Sequence, residues 1–329
     1  MPSVFAALLA ILLSTAVSAE ALRIQATPVP LKAGDPSVKR VGRLVYQGGL
    51  LLRSRHRRFG GLSGLHVSAD GKRLLAISDI GRWVEARLRY DRAGRLIGLA
   101  HAHIGRLRRP DGGLLSWRER DSETLAMLSG GRLAVGFEGT PRIWIYPPSK
   151  SPFARRPTAI AVPEGLRFAS RNAGLEALAA LAGGGLLALA EDMAAPAPHG
   201  YGAHAGWLRA KGRWTALAYD RVGVYRPTGA ARLPTGTKHA GDVVVIERAL
   251  YLFAGFSIRV MLMPAHAIKA GARMRPKHLA TLAAPLTVDN FEGVAARRGA
   301  NGETLIYLVS DDNFRAGQRT YLMMFRLTD

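Results

Sequence analysis

The 329-residue sequence predicts an all-β fold, a single β-propeller of four-stranded blades. Three observations carry the prediction. One internal repeat recurs along the chain. Short apolar strands alternate with Gly, Asp or Pro turns throughout. Each chain end holds strand material without a blade of its own.

The clearest repeat copies are residues 123–138 and 176–191. They match position for position: Glu first, then Leu, Ala and Leu, a Gly-Gly turn, Leu, and Glu last. Looser copies run over 63–79, 228–247 and 292–311. Ser63 and Thr228 replace the opening Glu, while Asp79, Glu247 and Asp311 close these copies. The spacing of roughly 50 to 60 residues is that of a long propeller blade. Five starts predict five blades.

Residues 1–19 read as a signal peptide, with an apolar run from Phe5 to Leu13 and small residues at Val17-Ser-Ala19. Residues 20–40 contain Pro and Lys and read as irregular; the propeller is expected over 41–329. Strands are predicted at 41–46 and 49–52. A hairpin over 82–103 turns at Ala93-Gly94. Further strands fall at 142–146, 206–209, 213–219, 257–263 and 319–327. Residues 175–190 are rich in Ala and Leu, but Gly183-Gly-Gly185 and the match to the preceding copy favour paired strands over a helix. Pairing the strand ending at Leu327 with the N-terminal one would close the ring and remove two exposed edges. The connections at 104–122, 147–171 and 192–205 are expected on the rim or over one face.

With 48% apolar residues and mean hydropathy near zero, the chain is a folded protein with a large core and no transmembrane span after its N-terminus. Cysteine is absent, which excludes thiol catalysis and every Cys-ligated metal. The net charge of +22 is carried largely by Arg, which grips phosphate and carboxylate with two parallel hydrogen bonds. An anionic small-molecule substrate or envelope ligand is expected. A coding bias towards Arg would give the same composition. The cations are scattered, and no nucleic-acid module is present, so nucleic acid is not an expected partner. Arg53, Arg55, His56, Arg57 and Arg58 form a local cluster, read as a solvated loop or a contact to lipid headgroups.

Several motifs together resemble the bacterial phytase-like family, also described by the esterase-like activity of phytase. They are Phe59-Gly-Gly-Leu-Ser-Gly-Leu65, Ser78-Asp-Ile-Gly-Arg-Trp83, Asn172-Ala-Gly-Leu-Glu-Ala-Leu178, Tyr225-Arg-Pro-Thr228, Val245-Ile-Glu-Arg248, Asp289-Asn-Phe-Glu-Gly293, Ser310-Asp-Asp-Asn-Phe314 and Gln318-Arg-Thr320. The resemblance spans roughly residues 42 to 328. It implies a secreted or periplasmic β-propeller related in design to calcium-dependent phytases, usually of six blades. Two positions depart from the family pattern. Thr124 stands for a Gly, and Gly229 stands where an Asp often follows Pro-Thr.

In a propeller, equivalent repeat positions converge at the channel mouth. Glu123, Glu176 and Glu292 are expected in one ring, as catalytic candidates. Asp79, Glu138, Glu191, Glu247 and Asp311 are expected in another, as metal ligands. Oxygen-only ligands point to a hard cation, and Ca2+ accepts six to eight flexible oxygens. Arg82, Arg226, Arg248 and Arg319 lie in the same motifs as candidate substrate grips. The competing reading pairs the acids with these arginines and with backbone N–H groups of the next blade, as staples between blades. The sequence thus points to an exported, monomeric, metal-dependent hydrolase of phosphate or other esters. The alternative is a non-catalytic periplasmic propeller that binds an anionic envelope ligand or a protein partner. Ser63 lacks the context of a nucleophile elbow. His101, His103, His199 and His204 read as packing or surface residues rather than zinc ligands.

Overall fold

The computed structural model describes residues 19–170 and 173–328. The expected signal peptide therefore lies outside the described residues, apart from Ala19, as does Asn172 of the family motif. The described chain is a five-bladed β-propeller, in agreement with the repeat count and not with the six blades the resemblance implied. No described helix is long and apolar enough to cross a membrane.

Each blade is a meander whose strands run outwards from the axis. Blade 1 uses Leu62–Val67, Arg73–Ser78, Arg82–Tyr90 and Leu96–Arg106; blade 2 uses Ser122–Met127, Leu133–Phe137, Arg142–Tyr146 and Thr158–Ile160. Blade 3 uses Leu175–Ala180, Leu186–Ala194, Ala203–Ala210 and Arg213–Asp220. Blade 4 uses Arg226–Arg232, Val243–Tyr251, Gly255–Met263 and Lys277–Ala283. Blade 5 takes Phe291–Arg298, Thr304–Ser310 and Thr320–Leu327 from the C-terminus, and its outer strand, Leu44–Arg53, from the N-terminus. The five innermost strands pack side by side in a closed ring. The expected joining of the two ends therefore closes the propeller.

The segment expected to be irregular is partly strand. Glu20–Leu22 pairs with the outer edge of blade 1, and Gln25–Pro28 pairs with Leu44–Arg53. Arg273–Met274, from a loop of blade 4, adds a parallel strand to the edge of blade 3. Such additions cover sheet edges that would otherwise offer unpaired backbone groups.

The repeat's leucines explain the packing. The second strand of each blade is sandwiched between neighbouring strands and blades, so Thr304–Ser310 is buried along its whole length. The outer strand Leu96–Arg106 alternates between buried and exposed positions, because one face meets water. Each fully buried Leu, Ile or Val contributes about 1.5–3 kcal/mol. The Gly-Gly turns of the two clearest copies have a backbone reason. Gly130, Gly131, Gly183 and Gly184 all adopt φ between 67° and 80°, where a side chain would be strained.

Candidate metal-binding mouth

The first strand of every blade starts at one end of the channel, and the second strand finishes there. All five strand pairs carry a register shift at this end, and it falls on the same residue of the repeat: Ser63, Glu123, Glu176, Thr228 and Glu292. A β-bulge leaves one residue without a partner opposite and re-aims its side chain. Here it presents three Glu, one Ser and one Thr at the mouth. The Ser63 hydroxyl donates to the Ser122 carbonyl and the Thr228 hydroxyl to the Phe291 carbonyl, each in the next blade. Where the repeat lacks Glu, its side chain is an inter-blade tie.

The register also corrects the second ring. Leu62, Ser122, Leu175, Pro227 and Phe291 pair with Ser78, Phe137, Ala190, Glu247 and Ser310. The residues one step further are Asp79, Glu138, Glu191, Arg248 and Asp311. Blade 4 therefore contributes Arg248, not Glu247, to the ring. Glu247 turns towards the blade 3 boundary, where Tyr219 donates to it at 2.7 Å and Arg259 lies 3.3 Å away. Glu247 is thus neutralised outside the mouth, contrary to its expected place among the ligands.

The mouth is consequently polar across its width. Blades 1, 2, 3 and 5 supply carboxylates; blade 4 supplies guanidinium. Arg248 donates to Glu191 at 2.5 Å, to Glu292 at 2.6 Å and to the Asn290 side-chain oxygen at 2.5 Å. Burial opposes its charge, yet Glu292 and Glu191 hold its pKa above the ordinary value. Arg226 lies opposite Arg248 in the strand pair and binds Asp192 at 2.6 Å.

Asp121 belongs to the site and is missed by the repeat, since it precedes Glu123 by two positions. It adopts φ 84°, a left-handed conformation uncommon for Asp. Its carbonyl accepts from the Glu138 N–H, and its carboxylate accepts from the Gly139 N–H at 3.0 Å. Asp121, Glu123 and Glu138 bring one oxygen each within 4.8 Å of one another, and so do Glu138, Glu176 and Glu191. Glu138 joins both groups. These clusters could hold a metal ion: their donors are all hard oxygens, and one Asp79 oxygen is buried nearby without a hydrogen-bond partner.

The electrostatics show how poorly these acids are compensated. Burial, then Glu176 and Glu292, pushes the Glu123 carboxyl well above its ordinary pKa. Burial, Glu191 and Glu138 do the same to Glu176. Glu138 is pushed up to about 7 by burial, although the Gly174 N–H donates to it. Asp79 is pushed up to about 7 by burial and Glu292, and Asp311 to about 9 by burial, Glu292 and Asp79. Glu292 is raised by burial despite Arg248. A cation placed among these groups would reverse the shifts.

The other expected arginine grips differ from one another. Arg82 is buried with its Nη1 unpartnered. Burial, Arg58 and Arg106 lower its pKa to about 10. Arg319 has an exposed side chain, and its backbone N–H donates to Asp289. Gly229, where the family often has Asp, admits no side chain: a Cβ there would lie 2.2 Å from the Glu292 carbonyl oxygen. His204 is buried against the Tyr225 carbonyl, as a packing residue would be.

Fold and site define a five-bladed β-propeller with a carboxylate-rich channel mouth. The chain belongs to the phytase-like family, described by the esterase-like activity of phytase, whose family model matches residues 57–314. No curated protein matches. Among solved structures the chain is similar to a candidate gluconolactonase (TM-score 0.42, 14% identity, 94% of this chain and 93% of that one). It is also similar to a luciferin-regenerating enzyme (TM-score 0.39, 14% identity, 82% and 93%). A third is a candidate oxidoreductase (glucose dehydrogenase) from Thermus thermophilus (TM-score 0.33, 17% identity, 92% and 99%).

Proposed function

We propose that the chain is an exported hydrolase that holds Ca2+ in its mouth and cleaves an anionic phosphate or other ester there. One observation carries the reading: carboxylates from four blades converge on a space where, among the described residues, Arg248 is the only cation ion-paired with them. Arg248 reaches Glu191 and Glu292 only. Asp121, Glu123 and Glu176 form no ion pair among the described residues and accept no backbone N–H of the next blade. Glu138 accepts one, from Gly174, so stapling between blades accounts for Glu138 in part and not for the other three.

Asp121, Glu123, Glu138, Glu176 and Glu191 would hold the ion. When bound, it would neutralise charge developing on an ester oxygen and acidify an attacking water. Beside the acids lies a cleft of ≈ 370 Å³ lined by Glu191, Arg226, Arg248, Leu250, Phe256 and Arg315. Arg315 has no ion-pair partner among the described residues and would take the anionic group. Glu176, buried at the centre of the acids, would accept a proton from the water and return it to the leaving group. The N-terminal sequence supports export, and a monomer is expected.

The test is hydrolysis of phosphomonoester, phosphodiester and carboxylic ester substrates with Ca2+ and with chelator. Turnover should require Ca2+ and vanish in Glu176→Gln. Calcium binding without turnover on any of the three would leave a binding propeller instead.

A further inference from the structure

The connections that emerge at the mouth face carry nearly all of the large hydrophobic side chains the described chain exposes. These are the links between blades and the turns between second and third strands. Phe168 is 80% exposed, Tyr201 86%, Leu252 88% and Phe253 97%; Trp117 and Val224 are also exposed. Ile97, beside the turn of a hairpin at the opposite end, is the exception. A β-turn tip of Leu252-Phe253 in water is costly without a partner, and polar residues would serve the turn better.

Cations share this face. Arg53, Arg55 and Arg57 lie on the link into blade 1, Arg118 sits beside Trp117, and Arg315 is on the blade 5 turn. All are exposed, and none has an ion-pair partner among the described residues.

The arrangement selects the partner. The apolar side chains stand on separate loops around a ring, in a run from Leu250 to Phe253 on blade 4 and singly on the links before blades 2 and 3 and on the blade 3 turn, with the arginines on the links before blades 1 and 2 and on the blade 5 turn. A protein interface would need a contiguous apolar core matched by its partner. A bilayer accepts separate anchors, each entering the acyl boundary while the cations meet headgroup phosphates. We infer that the mouth face docks on an anionic phospholipid bilayer, with Leu252-Phe253, Phe168 and Tyr201 inserted and the arginine loops on the headgroups. The docked face would set the carboxylate mouth against the membrane surface. This inference is independent of catalysis.

The experiment is co-sedimentation of the purified protein with phosphatidylcholine vesicles, with or without phosphatidylglycerol. Light scattering on the protein alone completes it. Wild type should pellet with the anionic vesicles and far less with the neutral ones. Leu252→Ser/Phe253→Ser should weaken pelleting roughly tenfold or more. Arg55→Glu/Arg57→Glu should weaken it and reduce its salt dependence. These residues are exposed, so both variants should keep the wild-type melting temperature. Failure of wild type to pellet with anionic vesicles overturns the inference, as does undiminished pelleting of the tip variant. A dimer dissolved by Leu252→Ser/Phe253→Ser, with vesicles ignored, would overturn it in favour of a second copy.

Discussion

Arg248 donates to Glu191 at 2.5 Å across the boundary between blades 4 and 3. The two residues hold the same position of the repeat, one step beyond the second-strand residue that pairs at the mouth side of the bulge, Ala190 in blade 3 and Glu247 in blade 4. Where neighbouring blades place acids, blade 4 places their counter-ion. Arg248→Met should therefore destabilise the protein by about 3–5 kcal/mol, because Glu191 and Glu292 lose their shared partner. Chemical denaturation checks this. Added Ca2+ should recover part of the loss, since a cation among the acids does the same electrostatic work.

Calcium should raise the melting temperature of wild type, and chelator should reverse the rise. At a hundredfold excess over Kd the gain is about 2.7 kcal/mol. Glu138 belongs to both acidic groups. Glu138→Gln should abolish most of the calcium response while leaving the metal-free protein as stable or more so, because it removes a buried charge. A melting curve indifferent to calcium in wild type would remove the metal site.

The pH dependence has a definite sign. Asp79 and Glu138 are pushed up to about 7 and Asp311 to about 9, above their unfolded values near 4. Between those values the folded state binds more protons than the unfolded one. Stability of the metal-free protein is thus fullest below about pH 4 as far as these groups decide, and is lost as pH rises from there through 7 towards 9. Urea denaturation in chelator across this range should show the decline. Saturating calcium should flatten it, because the ion favours the ionised forms.

Gly229→Asp, which restores the residue the family often carries, should fail. Its Cβ would meet the Glu292 carbonyl oxygen at 2.2 Å, and that backbone belongs to the neighbouring inner strand. Gly229→Ala tests the steric part alone and should cost roughly 1–3 kcal/mol.

The blades and most of the site were legible because both follow from the repeat. The leucines of 123–138 and 176–191 set the inner strand pairs, and the acids at either end necessarily converge. Glu247 misled because it adjoins Arg248, and matching by residue type selects the acid. The pairing register decides instead: Glu247 lies opposite Pro227, so Arg248 takes the ring position after it. Asp121 lies outside the repeat, and its role depends on a left-handed backbone that no spacing announces. The apolar tips were unreadable for a related reason. Leu252 and Phe253 continue an apolar strand in sequence, and only the turn reveals that they leave the core.

The latch of blade 5 joins the first and the last of the propeller's blade strands to be made. Leu44–Arg53 leaves the ribosome before every other blade strand, and Thr320–Leu327 follows all of them. Until then the ring stays open, with unpaired strand edges facing other chains. Loss of the Thr320–Leu327 strand should therefore act on the whole propeller, and a chain truncated before Thr320 should behave as an aggregating intermediate rather than as a four-bladed remnant.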